Sequence, residues 1–305
     1  MLTRTALAVF VGGLVTGLAA LTSGCAMTAS PSELPPLGEV PVVRDADDLA
    51  ALDLPLDPYD VDTEPLLDRM NRAWDVLIQR CIRRYGLRWP TSPEHVPPKG
   101  PEHMERYGII DAGVVAEYGY HQPPQPGVDD GDGGEDAAQS WSEDADDVMT
   151  GRVGRYQAQP VPEDGCNGAA MRALGAELPE NGPPKAPLSR RLAGRAYEQA
   201  LADPRLDPAV AEWRTCMTAA GYDYDSPFDA SRDRAWYVER GTSKREIATA
   251  QADLDCRVRS NFVGMFYALD AAYQREAVAT HRAELRELRE DAEVIDRNAR
   301  QVLGE

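Results

Sequence analysis

The chain predicts a mainly α-helical fold: disulfide-braced helices joined by long irregular connections, with a long C-terminal helix. Three observations predict it. Apolar residues recur at steps of three and four over several segments, the signature of one buried helical face. No segment alternates apolar and polar residues over a useful length, as a half-buried strand would. Cys81, Cys166, Cys216 and Cys256 each fall in a segment read as helical.

The first helix is predicted over residues 63–85, where Leu66, Met70, Trp74, Leu77 or Ile78, and Cys81 share a face. Asp62 or Thr63 can cap its start, and Pro65 is tolerated in a first turn. Gly86 suits the left-handed position that ends a helix, with apolar Leu87 just beyond it. Residues 90–160 are punctuated by Pro and Gly, with one short helix expected over 111–118. Within them, residues 129–147 combine Asp, Glu and Gly without a single base. Such a segment buries too little apolar surface to offset its ordering entropy, so a disordered acidic loop is expected there.

Helices resume near 168–174 and 188–202. Asp207 as N-cap and Pro208 in the first turn then open a helix with Val210, Trp213, Met217 and Ala220 on one stripe, ended by Gly221. Last comes one long helix. Ser243 to Glu246 has the form of a capping box, in which Ser and Glu each satisfy an orphan amide. Ile247, Ala250, Leu254, Val258, Phe262, Met265, Leu269 and Tyr273 continue as a buried face. Leu285, Leu288, Ala292, Ile295, Ala299 and Val302 then form a short heptad seam. Being under three heptads, the seam is expected to pack on its own chain, with a dimeric coiled coil as the alternative.

The segment before the body reads as an export signal. Arg4 supplies a short positive region, and residues 6–21 are uncharged and mostly Ala, Val, Leu and Gly. That run is shorter than the roughly 20 apolar residues a spanning helix prefers. It ends in Leu21-Thr22-Ser23-Gly24-Cys25, which resembles the lipobox of bacterial lipoproteins. The resemblance implies cleavage of a signal peptide, residues 1–24, before Cys25, whose thiol carries a thioether-linked lipid. Two or more acyl chains, such as palmitate, anchor stably where one does not. Residues 25–60, rich in Pro, Asp and Leu, are read as the lipidated cysteine and a flexible tether. The helical body then spans 61–305.

Composition narrows the function classes. The formal net charge is −19, from 51 acidic and 32 basic residues. Nucleic-acid binding needs clustered Lys and Arg to neutralise phosphate, so no nucleic-acid partner is expected. The same acidity argues against a peripheral hold on anionic lipid. Only Lys99, Lys185 and Lys244 are lysines, a bias of GC-rich coding sequences. Once Cys25 is lipidated, an even number of cysteines remains in an exported chain, which reads as two disulfides with three connectivities open. No CxxC pair exists, and His95, His103, His121 and His281 stand apart, so no metal or other cofactor is expected.

Two segments match each other. The first is Cys81-Ile82-Arg83-Arg84-Tyr85-Gly86-Leu87-Arg88-Trp89-Pro90; the second runs from Cys216-Met217 through Gly221-Tyr222-Asp223-Tyr224 to Pro227. Each has a cysteine near a helix end, a Gly stop, an aromatic beyond it and a Trp upstream, Trp74 or Trp213. Each is followed by one more cysteine in a helical context. The economical pairing therefore joins Cys81 to Cys166 and Cys216 to Cys256, giving two copies over about 61–170 and 187–305. At these residues the chain resembles a set of uncharacterised secreted actinobacterial lipoproteins with Cys-Met-x-x-x-Gly-Tyr followed by Ala-Asp-x-x-Cys. The likeness is best over about 207–260. It implies an envelope location and disulfides, and no activity.

Enzyme signatures are absent from the sequence: no G-x-S-x-G elbow, H-E-x-x-H or phosphate loop. Asp253 and Asp255 lie two apart on a helix, pointing to different sides, and are expected on a solvated face. Asp130 to Glu135 begins like a calcium loop but has Gly134 where a ligand belongs and Trp141 at position twelve. The expected function is that of a non-enzymatic envelope interaction module, lipid-anchored at Cys25 on the extracytoplasmic face of the cell membrane. Its partner would be a transporter or another envelope protein. The alternative is a small-molecule or peptide-binding lipoprotein associated with a transporter, with a groove between the two motif copies.

Overall fold

Helices dominate the computed structural model, which describes residues 34–61, 64–90, 104–123, 141–176, 186–238 and 241–305. In chain order they are α1 (Ala46–Ala50), α2 (Glu64–Arg84), α3 (Met104–Tyr107), α4 (Ala112–Tyr118), α5 (Glu143–Thr150), α6 (Gly165–Leu174) and α7 (Leu188–Leu201). They continue with α8 (Asp207–Ala219), α9 (Pro227–Ser231), α10 (Lys244–Arg259), α11 (Phe262–Thr280) and α12 (Arg282–Leu303). One two-residue hairpin, β1 (Arg155–Tyr156) against β2 (Gln159–Pro160), is the only sheet among the described residues. The signal peptide, Cys25 and the Asp62 and Thr63 caps lie outside them. No described helix is long and apolar enough to cross a membrane.

The main core forms around α11. Nearly every residue from Phe262 to Gln274 is buried, so this helix is covered on all sides rather than along one stripe. It packs against α7, while α10 packs against α4, α8 and α9. The single helix expected after Ser243 is thus three helices. Asn261 breaks it with φ +46, its side chain accepting from the Val43 amide and donating to the Pro41 carbonyl. His281 breaks it again. Apolar residues keep their spacing across both breaks, and no Gly or Pro marks them.

The expected tether also needs correcting. From Pro35 onward, the chain is strapped across the body. Val43, Leu49, Leu54 and Leu56 are buried, each burial worth at most roughly 1.5–3 kcal/mol. The Leu56 amide donates to Gln274, and the Tyr267 hydroxyl donates to the Asp53 carbonyl. Gly264 admits the strap: a Cβ there would come within 2.0 Å of the Pro41 carbonyl oxygen. Irregularly spaced leucines among prolines carry no period, so tertiary docking is invisible in them.

The acidic stretch is likewise ordered where it is described. Ser142 caps α5, accepting the Ala145 amide, and acidic residues fill the first turn, where the helix dipole favours them. Ala145, Val148 and Met149 are buried, the last two against the Cys81–Cys166 bridge. Residues 129–140, with the calcium-like run, lie outside the described residues.

Both disulfides form in the pairing suggested by the repeat. Cys81–Cys166 joins α2 to α6 with Cα atoms 5.7 Å apart, and Cys216–Cys256 joins α8 to α10 at 5.6 Å. The two glycine stops are equivalent. Gly86 and Gly221 have φ +71 and +91. In each, the next residue's amide reaches back to the helix: Leu87 to Ile82, and Tyr222 to Met217. The copies are not contiguous modules, however. α3 and α4 pack on α11 and α10, while α12 returns to α2 and α6. The heptad seam is covered by its own chain: α12 runs beside α2 in the same direction, Arg69 pairing with Asp296 and Arg72 with Glu305.

Candidate functional site

Glu246, in the first turn of α10, organises the site. Ser243 caps α10 by accepting the Glu246 amide, as a capping box requires. The Glu246 side chain does not reciprocate. Its carboxylate, 1% exposed, accepts the Tyr120 amide at 3.0 Å and meets His121 Nδ1 at 2.7 Å. The turn after α4 is therefore wrapped around a buried carboxylate. Asp111 fixes the other end of α4, accepting the Gly113 and Val114 amides.

Between this α4 unit and the α9 region lies a cleft of about 280 Å³. Ile110 and Val115, both buried, line it together with the Tyr120 ring. His121, Arg232 and Tyr237 border it, the Tyr237 ring centroid 5.5 Å from that of His121. Tyr237 is 63% exposed and Val238 79%, so the chain leaving the cleft presents large apolar groups to solvent.

A charged network supports the cleft from behind. The Tyr120 hydroxyl donates to Asp253, which also accepts the Trp213 indole N–H at 2.8 Å and the Arg257 guanidinium. Arg257 extends the network by donating to the Tyr107 and Pro227 carbonyls. Asp253 is fully buried, in place of the solvated face expected of it, while Asp255 is exposed. The pattern recurs twice: Asp270 with Arg106 and Tyr107, and Asp203 with Arg205 and Tyr273. Burial first, then the neighbouring carboxylate, pushes the phenols of Tyr107, Tyr120 and Tyr273 upward. Each therefore stays a protonated donor at neutral pH.

The sequence-predicted residues relate to this site unequally. Cys216–Cys256 fixes α10, which carries Glu246 and Asp253, whereas Cys81–Cys166 belongs to a separate cluster with Ile78, Ile82 and Val148. Cys25 lies outside the described residues. The cleft is lined from both copy ranges, by residues between 108 and 122 from the first and by Ser231, Arg232 and Tyr237 from the second. A signal for its support did exist: Glu246, Ala250, Asp253 and Arg257 recur at steps of four, three and four, a charged stripe in helical register. Among the described residues no three His, Cys, Asp or Glu side chains converge to hold a metal. Compared with known protein families, curated proteins and solved structures, the chain finds no match.

Proposed function

We propose that this chain is an exported, non-enzymatic lipoprotein, held at the outer face of the cell membrane by lipid on Cys25, that binds a small molecule in the α4–α9 cleft. The cleft carries the reading: an apolar recess with a few polar groups at its border and an exposed aromatic at its lip is the usual form of a ligand site. Two disulfides support export to an oxidising compartment. The non-enzymatic part rests on how the buried carboxylates are used. Asp203, Asp253 and Asp270 each bind an Arg and a Tyr inside the fold. Association with a membrane transporter would give such a binder its route across the membrane.

Methyl NMR of the full chain tests the cleft. Added indole is expected to shift the Ile110, Val114 and Val115 methyls and leave Ile78 and Ile82 unmoved. Absent shifts, or shifts spread over both sets, would contradict the reading.

A second reading, the envelope protein-interaction module, draws support from exposed Tyr237 and Val238. It predicts that cross-links to a neighbouring envelope protein are lost when both are changed to Ser. Unchanged cross-links would count against it.

A further inference from the structure

Two opposite charges border the same cleft, and neither forms an ion pair with another described residue. Arg232 lies over the Phe228 ring, 5.5 Å from its centroid, and pairs with no acid among the described residues. Asp111 uses Oδ1 for the Gly113 and Val114 amides at 2.8 and 2.9 Å, and no described base pairs with it. Glu246, packed behind Gly119, is buried and already bound to Tyr120 and His121.

We infer that the cleft takes a small zwitterion of the α-amino-acid class, its carboxylate on Arg232, its ammonium on Asp111 and an apolar side chain against Ile110, Val115 and Tyr120. This rests on the cleft being the binding site. A purely anionic ligand would bring its charge towards Asp111, and a purely cationic one towards Arg232; a zwitterion satisfies both. Ile110, Val114 and Val115 give the same cleft an apolar wall for the side chain. Size sets the class further. A volume of about 280 Å³ falls just below the roughly 300–1,000 Å³ of pockets for drug-sized ligands, which suits one residue rather than a peptide.

Isothermal titration of the full chain in nanodiscs tests this with four probes: L-phenylalanine, phenethylamine, 3-phenylpropionate and the dipeptide of two phenylalanines. L-phenylalanine is expected to bind about tenfold more tightly than either single-charge analogue, the worth of one charge-assisted contact. Arg232→Gln should erase its advantage over phenethylamine but not over 3-phenylpropionate. Asp111→Asn should do the converse, and Asn keeps the α4 cap, so helix loss does not confuse the result. Equal affinity for the three monomers overturns the zwitterion, and a tighter dipeptide overturns the single residue. If no probe binds while indole still shifts the cleft methyls, this inference fails alone. If indole is silent too, the cleft reading fails with it.

Discussion

In the first motif copy, Trp74 of α2 donates its indole N–H to the neutral Asn167 side chain on α6, 3.0 Å away. In the second, Trp213 of α8 donates to the Asp253 carboxylate on α10 at 2.8 Å. The surrounding construction is the same: a bridge between the two helices, a left-handed Gly stop and an aromatic past it. One side chain separates them. Asn167 is satisfied locally, whereas the charge on Asp253 recruits Arg257 and Tyr120, and through Arg257 the backbone at Tyr107 and Pro227. The first bridge sits in a satellite cluster, and α12 clasps the helices it joins. The second copy is knitted into the main core and backs the cleft. A repeated local motif fixes a local fold, and the charge placed inside it decides how far its influence reaches.

Substitution at that one side chain gives the largest expected effect. Asp253→Ala strands the Arg257 guanidinium in the interior and should cost about 3–5 kcal/mol. Asn167→Ala should cost about 1 kcal/mol, the loss of one partly exposed hydrogen bond. Urea unfolding compares them, and Asp253→Asn serves if the Ala variant does not fold. Equal losses would erase the distinction between the copies.

Bridge removal sharpens it. By loop entropy the two bridges are nearly equal, about 4.6 kcal/mol for a separation of 85 and about 4 kcal/mol for 40. Their surroundings should separate them. Replacing Cys81 and Cys166 by Ser should split calorimetric unfolding in two, because the Ile78, Ile82 and Val148 cluster stands apart from the α11 core. Replacing Cys216 and Cys256 should lower one transition without splitting it. The reverse behaviour would break the comparison.

The smallest effect concerns the clasp between α12 and the first copy. Hydrogen bonds from Arg300, then Arg69, hold the Asp296 carboxyl below its ordinary value of 3.8. A depressed folded value contributes stability above 3.8 that is lost as pH falls through the folded value. The side chain is 28% exposed, so solvent screening keeps the contribution under about 1 kcal/mol. Asp296→Asn should therefore lower Tm by a few degrees at pH 7, with the gap closing below pH 3.8. A gap unchanged in acid would mean that the ion pair is not its cause.

Periodicity made α2, α7 and α8 legible, because each buries one stripe, and it gave α10 its start and its face but not its end. It missed what depends on distant residues. The strap from Pro35 to Leu56 docks through pegs without a period, and Asn261 breaks a helix by binding that strap from far along the chain. α5 was masked by its acids, although Ser142 and the buried Val148 and Met149 give it a cap and a face. The cleft was illegible for a related reason. Its parts come from separate stretches, and Glu246 looked like half of a capping box when its carboxylate serves the Tyr120–His121 turn.

A mass-spectrometric peptide map, made without reduction on chain recovered from its membranes, tests the central claim most directly: an exported chain, lipid-anchored and braced once within each motif copy. The predicted map has a lipid-modified N-terminal Cys25 peptide and two cross-linked pairs, Cys81 with Cys166 and Cys216 with Cys256. A Cys81–Cys216 peptide, or a mature chain that begins elsewhere without lipid, would contradict it.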